Sequence, residues 1–347
     1  MRVVQVSRRG VLLGGLALAG GGLLAGGLGL DPAWAVDGPT IISCDGWGAR
    51  PNRGRLPVYN RRPVKILVHH TATANTAATS REAAVRLARA VQRFHMDHRG
   101  WPDTGQHFTV SRGGTVLEGR HRSLEFVRVG RWQVEGAHCT GQNVVALGIE
   151  SEGTYSTVDP PRALWEKLRS LCAYLCGQYG IRPTEIYGHR DFKDTACPGD
   201  RLYAALPRLR TEVAGVLGQK LRKATVSPAA WPLLRIADRG QQVLAAQHLL
   251  RAEGVPGVVP DGRFTRGLAD TVRAFQAERG FGRDDSLNLS EEPTGMIGGE
   301  SWPALARPVR SGEGGEAQQA VEVLLRGRDL RLPEVVTPQI WQRLLTP

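Results

Sequence analysis

The sequence predicts an α/β fold, a mixed central β-sheet flanked by helices, followed by a small, mainly α-helical C-terminal domain. Three observations carry this. Short β-branched apolar runs alternate with segments of helical period between about residues 36 and 217. One pair of runs meets at a Gly-Gly turn, and beyond residue 232 two helical segments resemble each other. A chain of 347 residues has the length of two folded domains, with room for at least one sizeable core.

Residues 1–35 stand outside that count. "SRRGVLL" (Ser7–Leu13) precedes a Gly/Ala/Leu run to Leu30 and then "AWA" (Ala33–Ala35), a small-x-small cleavage pattern. The segment resembles a twin-arginine secretion signal rather than a membrane anchor, because its run is Gly-rich and weakly apolar. No other stretch approaches the ~18–20 apolar residues of a spanning helix, so the expected product is a secreted or wall-associated monomer without a stable membrane span. Formal charge is +12, and losing three arginines and one aspartate with the signal leaves +10. Such a chain is steered toward anionic polymers, which outside a cell are wall polymers or membrane surfaces. No dense basic cluster is present, and with export this argues against nucleic acid.

In the first domain, 36–217, "VKILVHH" (Val64–His70) reads as a strand ending in polar residues. "TSRE" (Thr79–Glu82) has capping-box spacing, with Thr79 as N-cap, ahead of Ala84, Leu87, Ala88, Val91 and Phe94 at helical period. "HFTVSRGGTVLEG" (His107–Gly119) is a hairpin turning at Gly113-Gly114, and "VVALGIESEG" (Val144–Gly153) is a further strand. Pro160-Pro161 opens a helix with Leu164, Leu168, Leu171 and Leu175 on one face, ended by Gly177. Residues 218–232 read as a linker. In 233–347, "RGQQVLAAQHLLRAEG" (Arg239–Gly254) resembles "EGGEAQQAVEVLLRGR" (Glu313–Arg328), and "GGESWPAL" (Gly298–Leu305) echoes "VTPQIWQRL" (Val336–Leu344). Self-similarity of this kind predicts duplicated helical units that bury a common face, the second copy degenerate.

The chemistry is concentrated in few residues. "GHRDFKDTACPG" (Gly188–Gly199) holds a histidine and a cysteine on a charged, loop-like stretch. His69, at a strand end, can project into the same cleft. Two imidazoles and a thiolate form a tetrahedral zinc set with one position open to water, the pattern of catalytic rather than structural zinc. Zinc lowers the pKa of a bound water to about 7, and a nearby carboxylate can manage its proton. Glu150 and Glu152 share one face of their strand by its period of two. A structural zinc site from Cys172, Cys176, His189 and Cys197 competes with this reading, although the His189 to Cys197 gap exceeds the usual spacing. If Cys197 binds metal, Cys44, Cys139, Cys172 and Cys176 could form two disulfides in any of three pairings; Cys172 and Cys176 lie one helical turn apart, a poor geometry for bonding to each other, which leaves Cys44 with one of them as one candidate.

Three segments in order resemble the zinc amidases that cleave N-acetylmuramoyl-L-alanine, together with the related peptidoglycan-recognition proteins. They are "ILVHHTAT", "GAHCTGQNVVALGIESEG" and "GHRDFKDTACPGDRLY"; "WGARP" (Trp47–Pro51) resembles the family's entry segment, and the likeness spans about 41–210. The resemblance implies the zinc amidase fold, Zn2+ as cofactor and peptidoglycan as partner. It implies His69, His189 and Cys197 as metal ligands, with His70 outside the set, and His138 and Asn143 as groove residues. Many members carry a tyrosine where this chain has Gln106, whereas another branch places a catalytic glutamate in "GIE", which here is Glu150. Glu150 is therefore the implied base, with Glu152 the second candidate, Thr195 a donor to the oxyanion and Gln106 an assisting amide. A non-catalytic wall-binding or sensing protein is the rival expectation. An esterase or peptidase acting through the same zinc is a third. The C-terminal domain resembles the small three-helix peptidoglycan-binding module, through "RGQQVLAAQHLL", "PDGRFTRGLADTVRAFQ" (Pro260–Gln276) and "SWPAL", with Phe264, Val272 and Phe275 as core.

Overall fold

The computed structural model describes residues 36–221, 231–282, 295–328, 330 and 333–346. The signal-like residues 1–35 and most of the expected linker, 222–230, lie outside them. In chain order, the first unit contains β1 (Ile41–Ile42), α1 (Cys44–Trp47), β2 (Val58–Tyr59), β3 (Lys65–His70), α2 (Arg81–Arg93), β4 (Phe108–Val110) and β5 (Val116–Glu118). It continues through α3 (Ser123–Val129), β6 (Gln133–Val134), β7 (Ala146–Ser151), α4 (Arg162–Tyr179), β8 (Ile186–Gly188) and α5 (Asp200–Val216). Six strands form one sheet in the order β1-β5-β4-β7-β3-β8. Only the β4–β5 hairpin is antiparallel; the other pairings run parallel, which makes the mixed sheet the sequence predicts.

Strand alternation sorts the side chains between two faces. Ile66 and Val68 of β3, with Leu147 and Ile149 of β7, pack with the leucine stripe of α4 and with Leu202, Leu206 and Leu209 of α5. The opposite face carries Leu67 and His69 of β3 beside Gly148 and Glu150 of β7. Farther along that face, Leu117 packs with Trp47 of α1 and with Ala84 and Ala88 of α2. The helices thus cover both sides. The uncapped chemistry sits where β3 and β7 end, the usual place for a site in an open α/β sheet.

Two predicted boundaries move. Ser80, not Thr79, caps α2: its hydroxyl accepts the Ala83 N–H at 3.2 Å. One residue of slip exchanges two similar hydroxyl residues, which spacing alone does not separate. Gly177 lies inside α4, which ends instead at Gly180, whose left-handed φ of 72° closes the helix against the Cys176 carbonyl.

The expected disulfides are not formed, for all five cysteines are free and buried. Cys172 and Cys176 belong to the core between sheet and α4, which also removes them from any metal set. Cys44 donates to the Gly119 carbonyl at 3.3 Å and packs with Trp47, while Cys139 packs with Leu67 and Tyr187 on the other face. Each behaves as a small apolar side chain.

The C-terminal unit comprises α6 (Gln241–Ala252), α7 (Arg266–Glu278), α8 (Ser301–Leu305), β9 (Val309–Arg310), α9 (Gly315–Leu325), β10 (Val335–Val336) and α10 (Pro338–Leu345). Its self-similar segments fall on α6 with α9 and on α8 with α10, and they share one core that includes Phe264, Val272 and Phe275. Trp302 and Trp341, at matching positions of the echo, are both fully buried. Each donates its indole N–H to an upstream carbonyl, of Pro232 at 2.6 Å and of Arg307 at 2.8 Å. Among the described residues no helix is long and apolar enough to cross a membrane.

The free-thiol assignment has a direct test. Unfolded in guanidinium without reductant, the chain should titrate five thiols, and reductant should leave the melting temperature of the folded protein unchanged. A count of three would reinstate one disulfide.

Candidate metal centre

The first candidate ligand is positioned by strand geometry. His69 lies at the end of β3, fully buried, on the face opposite α4. The next residue, His70, points to the other face, where its Nδ1 accepts the Tyr155 N–H at 3.3 Å, so period two alone separates the two imidazoles. His189 opens a single tight turn directly after β8, and Cys197 closes the loop that follows. That loop is folded back on itself: the Arg190 N–H donates to the Cys197 carbonyl at 3.1 Å. Asp191 accepts the Gly188 N–H at 2.9 Å and the Tyr203 hydroxyl at 2.6 Å, which ties His189 to β8 and α5.

The three side chains converge. One ring nitrogen from each of His69 and His189 and the Cys197 sulfur lie within 4.8 Å of one another, all buried, and this set could hold a metal ion. Cys197 Sγ is 3.7 Å from His69 Nδ1 and accepts the His70 backbone N–H at 3.4 Å.

Hydrogen bonding behind His69 determines which nitrogen is free. His138 Nε2 lies 3.2 Å from the Ala146 carbonyl, which can only accept, so that nitrogen carries the proton. His138 Nδ1 is then an acceptor, and it lies 3.1 Å from His69 Nε2, which must donate. The lone pair of His69 is therefore on Nδ1, beside the sulfur. Neutrality of these rings is enforced by burial, which holds His69 and His138 well below the ordinary histidine value. Neighbouring imidazoles, His189 first for His69 and His107 for His138, add to the effect. His107 is brought down to about 4 by burial; its Nε2 donates to the Val134 carbonyl and its Nδ1 accepts the Gly148 N–H, each at 3.0 Å.

This arrangement corrects the expected role of His138. Its imidazole is fully buried and hydrogen-bonded at both nitrogens, so it orients His69 instead of lining a groove. Asn143 supports it from the loop, its Oδ1 accepting the backbone N–H groups of His138 and Cys139 at 2.8 and 2.9 Å. Gly148 provides the room: a Cβ there would lie 2.6 Å from the His138 ring. A glycine inside an apolar strand signals such a close approach, and the glycine of "GIESEG" is that signal in the sequence.

Glu150 stands directly across from His69 in the parallel register of β3 and β7, and Thr109 of β4 stands across from Glu150. Side chains paired in this way share a face, one strand spacing of about 4.8 Å apart. Glu150 is thus adjacent to His69, and it is buried. Glu152 lies beyond the strand end, where its carboxylate accepts the Arg112 N–H at 2.7 Å and burial raises its pKa. Gln106 is buried too, its amide donating to Thr109 Oγ1 at 2.9 Å, which places it within the row and removes it from an open groove. Thr195 Oγ1 accepts the Cys197 backbone N–H at 3.0 Å, which fixes the hydroxyl oxygen beside the Cys197 backbone.

His138→Ala should lower metal affinity about 10- to 100-fold by freeing the His69 ring, as measured by chelator competition. Gly148→Ala should act in the same direction by displacing the His138 ring, with the fold retained in circular dichroism. Wild-type affinity in both variants would remove the orienting role.

A profile of the family described as N-acetylmuramoyl-L-alanine amidase matches residues 59–200. Peptidoglycan-recognition protein SC2 of Drosophila melanogaster is 32% identical over 172 residues, which are 49% of this chain and 86% of that protein. The human N-acetylmuramoyl-L-alanine amidase is 35% identical over 165 residues, 46% of this chain and 26% of the human protein, so the chain spans about a quarter of that relative's length. Among solved structures, wild-type Drosophila PGRP-LB is similar at 28% identity over 48% of this chain and 91% of that one, with a TM-score of 0.42. The site lies within the matched segment. By its sequence relationship over most of a recognition protein's length, the chain belongs to the N-acetylmuramoyl-L-alanine amidase and peptidoglycan-recognition protein family.

Proposed function

We propose that this protein is an exported zinc amidase that hydrolyses the amide between the lactyl group of N-acetylmuramic acid and the first L-alanine of the peptidoglycan stem. One observation carries the reading: the two imidazoles and the thiol converge within 4.8 Å, with Glu150 beside the first of them on the same face. Two nitrogens and one sulfur suit zinc in its three-ligand catalytic form. Zinc held by His69 Nδ1, His189 and Cys197 would supply Lewis acidity toward a carbonyl oxygen and a lowered pKa for water.

The remaining steps fall to the chain's own groups. The Glu150 carboxylate takes a proton from the water that attacks the carbonyl carbon. As the C–O bond forms, Thr195 donates its hydroxyl proton in a hydrogen bond to the oxygen on which negative charge develops. Glu150 then returns its proton to the leaving nitrogen as the C–N bond breaks, giving a carboxylic acid and the free amino group of alanine. His138, with Asn143 behind it, keeps the His69 ring in its ligating orientation throughout. Gln106 serves as an indirect support, holding Thr109 in the row beside Glu150.

The rival, a non-catalytic wall binder of the same family, draws on the glutamine at position 106, where many members carry a tyrosine, and on its burial. The complete ligand set and Glu150 favour turnover. Export by the signal-like residues 1–35, a domain organisation of 36–217, 218–232 and 233–347, and a C-terminal unit that holds peptidoglycan belong to the same proposal. Tethering by that unit would raise the local concentration of cleavable bonds.

Incubated with purified wall, the zinc-loaded protein should release alanine amino termini without new reducing sugar ends. Reducing ends would indicate a glycosidase, amino termini other than alanine a peptidase, and neither the binder. Cys197→Ser should lose zinc and activity together. Glu150→Gln should retain zinc and lose at least about 100-fold in turnover; a fully active Glu150→Gln would remove Glu150 as the base.

A further inference from the structure

We infer that the C-terminal helical unit is a positioning element for the metal-ligand loop, acting through Asp194 as the positioning residue, in addition to any role as a wall tether. The inference rests on the amidase reading above. His189 and Cys197 are the ends of one loop, and Lys193 and Asp194 between them are held by the C-terminal unit. Asp194 Oδ1 accepts the backbone N–H groups of Gly298, Glu300 and Ser301 at 2.7, 3.1 and 3.0 Å. Its Oδ2 accepts the Ser301 hydroxyl at 2.6 Å and the Gln276 amide at 2.9 Å.

Five donors converge on one carboxylate, and none belongs to the sheet unit. Beside it, Lys193 Nζ pairs with Glu300 Oε1 at 2.7 Å with both side chains largely buried. On the other flank Asp200 bridges Arg190, at 2.8 Å, and Arg235 of the C-terminal unit. Hydrogen bonds to a charged group are the stronger kind.

The backbones also meet without slack. A Cβ on Gly299 would lie 2.6 Å from the carbonyl oxygens of both Arg190 and Asp191, the two residues that follow the ligand His189. Within the first unit the loop is tied through Asp191 to Gly188 and Tyr203 and through the Arg190 N–H to the Cys197 carbonyl, whereas Lys193 and Asp194, on the span that leads to Thr195, take their registration from Gly298–Ser301. Ligand geometry has to be held to within about 0.5 Å to be productive, and an irregular loop has little local stability of its own. Docking supplies that restraint. A tether, by contrast, changes only the apparent affinity for the polymer.

The test uses the full chain carrying zinc or cobalt, with Asp194→Ala and Asp194→Asn on the loop side, Gly299→Val on the other, and Arg310→Ala as an exposed control in the C-terminal unit. Three quantities are read: zinc transfer to a chromophoric chelator, the thiolate-to-cobalt and d–d absorption bands, and kcat and KM on a soluble monomeric muropeptide too small to bridge both units. Asp194→Ala and Gly299→Val should release zinc about tenfold faster, shift the cobalt bands and lower kcat about tenfold at unchanged KM. Asp194→Asn keeps an acceptor for the three backbone N–H groups and should lose less; Arg310→Ala should match wild type. If Asp194→Ala or Gly299→Val does not fold, Asp194→Asn and Gly299→Ala are read the same way. Variants that bind insoluble wall less well but keep wild-type zinc release, cobalt bands and kcat would overturn the inference and leave a tether. A wild-type protein that holds metal but cleaves no muropeptide would overturn the amidase reading, while zinc release and the cobalt bands would still decide the positioning role.

Discussion

The hydrogen bond from His69 Nε2 to His138 Nδ1 is the constraint on which the rest of the site depends. An imidazole at a strand end has two nitrogens and a free ring torsion, so its place on β3 does not by itself present a lone pair in the right direction. The Ala146 carbonyl sets the tautomer of His138, His138 sets that of His69, and the free nitrogen of His69 then faces Cys197. Because the whole relay is buried, water cannot compete for its hydrogen bonds and protonation is suppressed. Gly148 and Gly136 belong to this relay as much as the imidazoles do, for the His138 ring occupies the space where their side chains would be.

Rigid and irregular elements divide the work. His69 and Glu150 sit on adjacent parallel strands, so their separation is set by the sheet and changes only if the sheet does. His189 and Cys197 sit on a loop, where the backbone has no such ladder. That loop is held by bonds of three origins: Asp191 to β8 and α5, Arg190 to the Cys197 carbonyl, and Lys193 with Asp194 to the C-terminal unit. A ligand set drawn from both kinds of element is only as precise as its loop half. This gives the C-terminal unit a physical reason to be seated where it is.

The burial of the cysteines bears on how the chain folds. With Cys172 and Cys176 in the main core and Cys44 and Cys139 in satellite clusters, stability comes from packing on both faces of the sheet rather than from covalent closure. Helical period places Cys172 and Cys176 beside the leucine stripe of α4, where a small apolar side chain packs without a bridge.

Local pattern determined much of this protein. Apolar, β-branched runs located β3 and β7; helical period located α2, α4 and the repeated helices; the Gly113-Gly114 turn located the hairpin; and resemblance of the motifs around His69, His189 and Cys197 named the candidate ligands. Each of these is a property of a few neighbouring residues, which is why it could be read from the sequence alone. Only the tertiary structure decided that Glu150 faces His69 across two strands some eighty positions apart, that His138 stands behind the ligand instead of in the groove, that Ser80 and Gly180 are the caps used, and that Asp194 is spent on a partner more than a hundred positions away. Register between distant strands, the tautomer of a buried ring and the docking of one unit on another depend on groups brought together by folding, and no local periodicity encodes them.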